Sequence, residues 1–248
     1  MSYDAEFYRR RTEATRVSAA AVLELIWPEV GGDSVVDIGC ATGIWLAACT
    51  ELGARRVLGV DGPWVDAAAL EIPVASFLQH DLASGLPDGL DDLDGRFDLA
   101  LCIEVAEHLS AARGDELIAF LCRRSDCVLF SAAVPGQGGT GHVNEQRQSY
   151  WQQRFASQGY RAFDLMRPRL WRREDVNVIY RQNLLCYARE ASAAFGRLVA
   201  AGHEPLPDDE FALDRVHPEL FERREDQHRR LGFVGHVRLA VSSLLGRR

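Results

Sequence analysis

Apolar positions in this chain fall into short runs, each closed by an acid or a glycine cluster, with helical stretches between them. Val35, Val36 and Ile38 make the first run around Asp37, and residues 57–60 make the second, closing at Asp61. Residues 74–78 precede Asp81, residues 97–103 precede Glu104, and residues 127–133 lead into a glycine-rich loop from Pro135 to Gly141. Short apolar runs bounded by turn residues read as strands buried on both faces. Residues 12–27 instead place Val17, Ala20, Ala21 and Leu25 at helical spacing and stop before Pro28 and Gly31. Residues 149–158 read as another helix, followed by strands near 160–165 and 184–188. This alternation predicts an α/β fold with a doubly wound, mostly parallel sheet, binding its ligand at the carboxyl edge where strand order reverses. Beyond Glu190 the pattern changes to helical pieces broken by Pro205, Pro207 and Pro218, ending in an amphipathic segment at 231–248. The expected division is an α/β domain at 1–189 and a helical extension at 190–248. The extension is expected to pack on that domain or on a second copy as a homodimer, its apolar faces being too small to fold alone.

With 248 residues, 47% of them hydrophobic, the chain can bury a full core. It has no uncharged apolar run of about 18 residues and no apolar signal core near its start, so neither a membrane span nor secretion is expected, and the expected location is the cytoplasm. A net charge of −8 speaks against broad electrostatic binding of nucleic acid and leaves room only for a local basic patch. All 28 basic residues are arginine, which looks like codon bias and carries no functional reading. The six cysteines include no C-x-x-C pair, so neither a zinc-cysteine site nor a disulfide framework is expected.

The first run continues as Asp37-Ile38-Gly39-Cys40-Ala41-Thr42-Gly43, a tight small-residue loop that re-emerges as a helix. Gly39 and Gly43 let the backbone approach a ligand, and the new helix offers free N–H groups. Dinucleotide folds want G-x-G-x-x-G, whereas here an acid and small residues occupy every second position. The plain alternative is an ordinary βα turn. Asp61, at the next strand end, can accept the ribose hydroxyls of an adenosine or serve only as a turn residue before Gly62-Pro63; Trp64 can stack on adenine or simply pack, and Asp81 can accept from the adenine amino group. The order of these elements resembles the class I S-adenosylmethionine (SAM) dependent methyltransferases, over roughly residues 12–188. That resemblance implies a seven-stranded Rossmann-like sheet whose last strand is antiparallel. It places Asp37, Gly39, Ala41 and Gly43 along the methionine part of SAM, Asp61 on the ribose, and Trp64, Asp81 and Leu82 on the adenine. Cys40, Thr42 and Gly62 complete the expected cofactor set. Ala41 stands at the usual middle glycine and is expected to be tolerated, on the reasoning that the position needs a small residue more than a positive φ.

After the fourth run, Glu104, Glu107 and His108 stand at i, i+3 and i+4, which on a helix would put all three on one face. Oxygen and imidazole donors together suit a divalent cation (Mg, Mn, Fe or Zn), and His142, after the glycine loop, is the expected fourth ligand. This E-x-x-E-H plus H pattern resembles the metal site of small-RNA 3′-end 2′-O-methyltransferases, and its first part resembles ubiquinone-pathway O-methyltransferases. The resemblance implies a metal that acidifies the acceptor oxygen. The metal-free alternative has Glu104 capping a helix or touching SAM, with His108 or His142 as general base. The glycine loop reads as a lid, with Asn144 and Glu145 orienting the acceptor or merely capping. Arg167, Arg169, Arg172 and Arg173 read as either an anion grip or a solvated face, and Tyr3, Phe7 and Tyr8 as an acceptor cover or as packing. The function expected is SAM-dependent O-methylation of a small molecule such as a sugar or biosynthetic intermediate. Methylation of an RNA 3′ end, N- or C-methylation, and a SAM-binding regulatory protein without chemistry are the alternatives.

Overall fold

The computed structural model describes residues 5–87 and 96–224, with side chains from Thr12 onward. Seven strands form one sheet: β1 (Ser34–Ile38), β2 (Arg56–Asp61), β3 (Phe77–Gln79), β4 (Leu99–Ile103), β5 (Cys127–Ser131), β6 (Tyr160–Phe163) and β7 (Leu185–Arg189). Their order is β3-β2-β1-β4-β5-β7-β6, with β7 antiparallel to both neighbours and every other pairing parallel. The last strand in sequence is therefore the antiparallel one, and strand order reverses between β1 and β4.

Successive side chains on a strand face opposite sides of a sheet, and here both sides are covered. Val35, Leu99, Leu101 and Leu129 face α1 (Ala5–Val30), α2 (Ile44–Glu51) and α5 (Ala193–Ala200). Val36, Ile38, Ala100, Cys102 and Phe130 face α3 (Ala111–Arg124) and α4 (Gln148–Ser157). Phe155 on α4 stacks on Tyr187 at a ring separation of 3.9 Å. All six cysteines are buried as free thiols, with the Cys127 and Cys186 sulfurs 3.7 Å apart.

Several local expectations shift. Helix α1 runs through Pro28 to Val30; the proline gives up its bond to the carbonyl four residues back, but only two helical residues follow it. The third strand is shorter than expected, since Pro73 sets up a 3-10 turn at Val74–Ser76 before it. The described residues fall in two units divided between Arg215 and Val216, so residues 190–215, expected as the start of the extension, lie in the first unit. The amphipathic segment at 231–248 and Tyr3 lie outside the described residues, as do the side chains of Phe7 and Tyr8. No helix among the described residues is long and apolar enough to cross a membrane.

Three of the four arginines in the run after β6 are held in ion pairs. Arg167 is buried, pairs with Asp164 at 2.9 Å, and donates to the carbonyls of Leu213 and Ala212. Arg169 reaches Glu29 and Arg173 reaches Asp175. Removing one partner of a buried ion pair strands the other charge away from water. Asp164→Ala should therefore lower unfolding free energy by about 3 kcal/mol, read as a drop in urea midpoint at constant slope, with the carbonyl contacts keeping the loss at the low end of the usual range.

Candidate functional site

The loop after β1 is tied down by its neighbour strand. Gly39 and Cys40 N–H both donate to the Val60 carbonyl, at 2.8 and 3.1 Å. Asp61 then takes the Ala41 N–H on one oxygen at 2.7 Å and the Gly62 N–H on the other at 2.6 Å. Each carboxylate oxygen has a second lone pair, so Asp61 can shape the loop and still accept from a ligand hydroxyl. Gly39 has φ 85°, and a Cβ there would lie 2.3 Å from a Val105 methyl, so both backbone angle and packing demand glycine. Ala41 has φ 48°. This corrects the expectation for that position, which does need a positive φ and holds an alanine in a conformation that favours glycine.

A cavity of about 780 Å³ opens at this edge. Its wall includes Gly39, Cys40, Ala41, Thr42, Asp61, Trp64, Asp81, Leu82, Glu104 and His108 of the expected residues. Trp64 is 69% exposed, and its indole lies across Gly62 so closely that a Cβ there would meet it at 2.2 Å. Asp81 closes its own turn by accepting the Ala83 N–H at 2.9 Å. Gly43 and Gly62 support the wall without forming it, and Asp37 is buried behind it within β1. Burial, and then the charge of Asp61, push the Asp37 carboxyl up to about 7. The wall also contains Thr12, Thr15, Trp45 and Tyr180, which the sequence did not single out. The two threonines come from α1, a helix whose sequence signals only its packing face.

On the far side the expected helix is absent. Glu104 has φ 56°, only a 3-10 turn spans Ala106–His108, and α3 starts later, where Ser110 caps it by accepting the Arg113 N–H. Glu104 is accordingly left out of the cluster that the other three expected metal ligands form. Its carboxylate accepts from Asn183 at 3.0 Å and Gln137 at 2.9 Å; burial raises its pKa, and hydrogen bonds from Asn183, Ser131 and Gln137 partly oppose this.

Glu107, His108 and His142 do converge, each offering a ligand atom within 4.8 Å of the others. The two imidazoles meet edge to face at 4.8 Å between centroids, and His142 Nε2 lies 4.0 Å from a Glu107 oxygen. His142 arrives there because the Val143 and Asn144 N–H groups donate to the Glu107 carbonyl, at 2.8 and 3.0 Å. The Glu107 carboxylate is buried, and neither oxygen has a partner in hydrogen-bond geometry among the described residues. Burial, and then Glu104, push its pKa up to about 8, partly offset by the nearby N–H groups of Glu107 and Ala133. Burial and His142 hold His108 below its usual value. Glu145 takes His142 Nδ1 at 2.9 Å and the Gly136 and Gly138 N–H groups at 2.8 and 2.9 Å. Burial alone would raise the Glu145 carboxyl, but these bonds outweigh it and hold it below its usual value.

This architecture has known counterparts. Residues 8–165, well over half of the chain, match the methyltransferase-domain family, and the chain belongs to that family. Ribosomal protein L11 methyltransferase of Syntrophotalea carbinolica is 28% identical over 180 residues, 71% of this chain and 50% of that protein. The Thermotoga neapolitana protein of the same name is 38% identical over 78 residues, 31% of this chain and 28% of that protein. The chain thus spans half or less of the length of these curated relatives. Among solved structures, magnesium protoporphyrin IX methyltransferase (ChlM) from Synechocystis PCC 6803 with bound SAM superposes with a TM-score of 0.52 at 16% identity, covering 77% of this chain and 86% of that one. The methyltransferase domain of bacterial CtHen1-C gives 0.53 at 18% identity, covering 72% and 100%. At such identities the likeness is one of fold, and the fold is that of the class I SAM-dependent methyltransferases.

Two outcomes test the loop. Ala41→Gly should raise stability by up to about 1 kcal/mol in chemical denaturation, because release from the left-handed region exceeds the added freedom of the unfolded chain. The folded pKa of Asp37 lies above its unfolded value of 3.8, so the stability it allows is complete below that value and falls as pH rises through about 7. Urea unfolding of the unliganded protein from acid to neutral pH should show this fall, and Asp37→Asn should flatten part of it.

Proposed function

We propose that the chain is a SAM-dependent O-methyltransferase acting on a small-molecule hydroxyl, with a divalent cation held by Glu107, His108 and His142. The observation that carries this reading is the convergence of one buried carboxylate and two imidazoles beside the cavity. The Glu107 carboxylate has no hydrogen-bond partner among the described residues, and buried polar groups normally have one. An oxygen donor and two imidazole nitrogens fit Mn, Fe or Zn better than Mg. The set comprises three protein ligands, since Glu104 is engaged by Asn183 and Gln137.

The residues around Gly39 to Thr42 suit SAM by their chemistry. Asp61 retains lone pairs for ribose hydroxyls, Asp81 retains one carboxylate oxygen outside its own turn, and Trp64 offers an exposed indole at the rim. When bound, SAM supplies an electrophilic sulfonium methyl, and a cation supplies charge that makes an acceptor hydroxyl more acidic. The chain's own part is to align the acceptor oxygen opposite the sulfur, exclude water and accept a proton. Without a cation, His108, in the cavity wall, is the group nearest that last task. A hydroxyl oxygen is a weak nucleophile until it loses its proton, whereas a neutral amine nitrogen is nucleophilic as it stands, so such activation favours oxygen over nitrogen as the methylated atom. The net charge of −8 favours a small acceptor over an RNA end, and the acceptor-side polar groups argue against a purely regulatory SAM-binding role.

Screening hydroxylated acceptors for S-adenosylhomocysteine release tests the reading. Exhaustive chelation should abolish turnover while SAM affinity is retained, and Glu107→Gln should lower turnover by at least the 10–100-fold, roughly, that loss of an outer metal partner produces. Full activity after chelation overturns the cation and leaves His108 as a metal-free base.

A further inference from the structure

We infer that Glu145 is a positioning residue that sets the tautomer of His142 and, with the same carboxylate, seats the glycine loop over that imidazole. The inference rests on the reading above in which His142 serves the acceptor side. Glu145 lies outside the cavity wall, so its effect passes through His142. One of its oxygens lies 2.9 Å from His142 Nδ1 and 2.9 Å from the Gly138 nitrogen, and the other lies 2.8 Å from the Gly136 nitrogen. A carboxylate only accepts, so the imidazole must present Nδ1–H to it. A neutral His142 then carries its lone pair on Nε2. That nitrogen is the one 4.0 Å from the Glu107 oxygen, on the side where His108 also stands. Free imidazoles have no such constraint, and a ring with its proton on Nε2 would offer neither a ligand nor a base there.

The loop supports the same arrangement from above. Gly139 passes so close that a Cβ would lie 2.2 Å from His142 Nε2, and only a glycine leaves that nitrogen room. Gln137 anchors the loop on its other side by donating to Glu104 at 2.9 Å. Glu145 therefore couples two requirements, ring orientation and loop seating, that separate residues would have to meet independently.

The test uses the full chain with ¹⁵N-labelled histidine. Long-range proton–nitrogen correlation spectra of the metal-free wild type should show His142 protonated at Nδ1. Glu145→Ala should shift the population towards Nε2–H, and Glu145→Gln, which keeps one acceptor oxygen, should restore Nδ1–H. In calorimetry with Mn²⁺ alone, Glu145→Ala should bind about 10–100-fold more weakly than wild type, with SAM affinity unchanged. Nε2–H in the wild type, or an unchanged tautomer in Glu145→Ala, overturns the inference. If Glu145→Ala does not fold, the wild-type tautomer and Glu145→Gln still decide it. If Mn²⁺ fails to bind the wild type, the cation reading fails while the tautomer still decides the role of Glu145.

Discussion

Parallel pairing is the constraint on which this structure rests. A strand whose neighbour runs in the same direction must be followed by a crossover, so the ends of β1, β2, β4 and β5 all fall on one edge. Helices on both faces make the strands apolar throughout, which pushes polar chemistry to that edge. The reversal of order between β1 and β4 leaves a crevice there that neither crossover covers. Gly39 to Thr42, Asp61, Asp81 and Glu104 stand around it because each ends or follows a strand, and Asp37 is the one acid drawn back into the sheet.

On the acceptor side, one carbonyl does comparable work. By taking the N–H groups of both Val143 and Asn144, the Glu107 main chain joins the loop after β5 to the turn after β4. Residues separated by a whole βα unit thereby become neighbours. The Glu107 side chain stands at the same junction, so the residue that organises the backbone also brings the carboxyl group that the two histidines face.

The sheet, its order of elements and its ligand edge were legible because they follow from run length, alternation and turn residues, all of which are local. The convergence of Glu107, His108 and His142 was legible for a related reason: each follows a strand end on the same edge. Glu104 was misplaced because a spacing of i, i+3 and i+4 is compatible with a helix, while the left-handed backbone at Glu104 has no signature in its side chain. Ala41 shows the same blindness, since alanine gives no sign of a positive φ. Asn183 and Gln137, which hold Glu104, come from elements far away in sequence, and no periodicity announces a contact of that kind. The role of Glu145 needed the loop's path, because a glutamate three residues after a histidine reads equally well as a helix cap.

The six buried thiols have a practical consequence. Cysteine reacts as the thiolate; burial shields all six sulfurs here and raises the pKa of Cys40, Cys49, Cys102 and Cys122, the last to about 12. They sit on both faces of the sheet, on β4, β5 and β7 and on α2 and α3 as well as in the cofactor loop. Alkylation of the native protein must then wait for the chain to open, and the order in which the sulfurs are labelled reports which layer opens first. The fold thus contains its own set of opening probes, placed by a need for small apolar side chains and readable by mass without any engineered label.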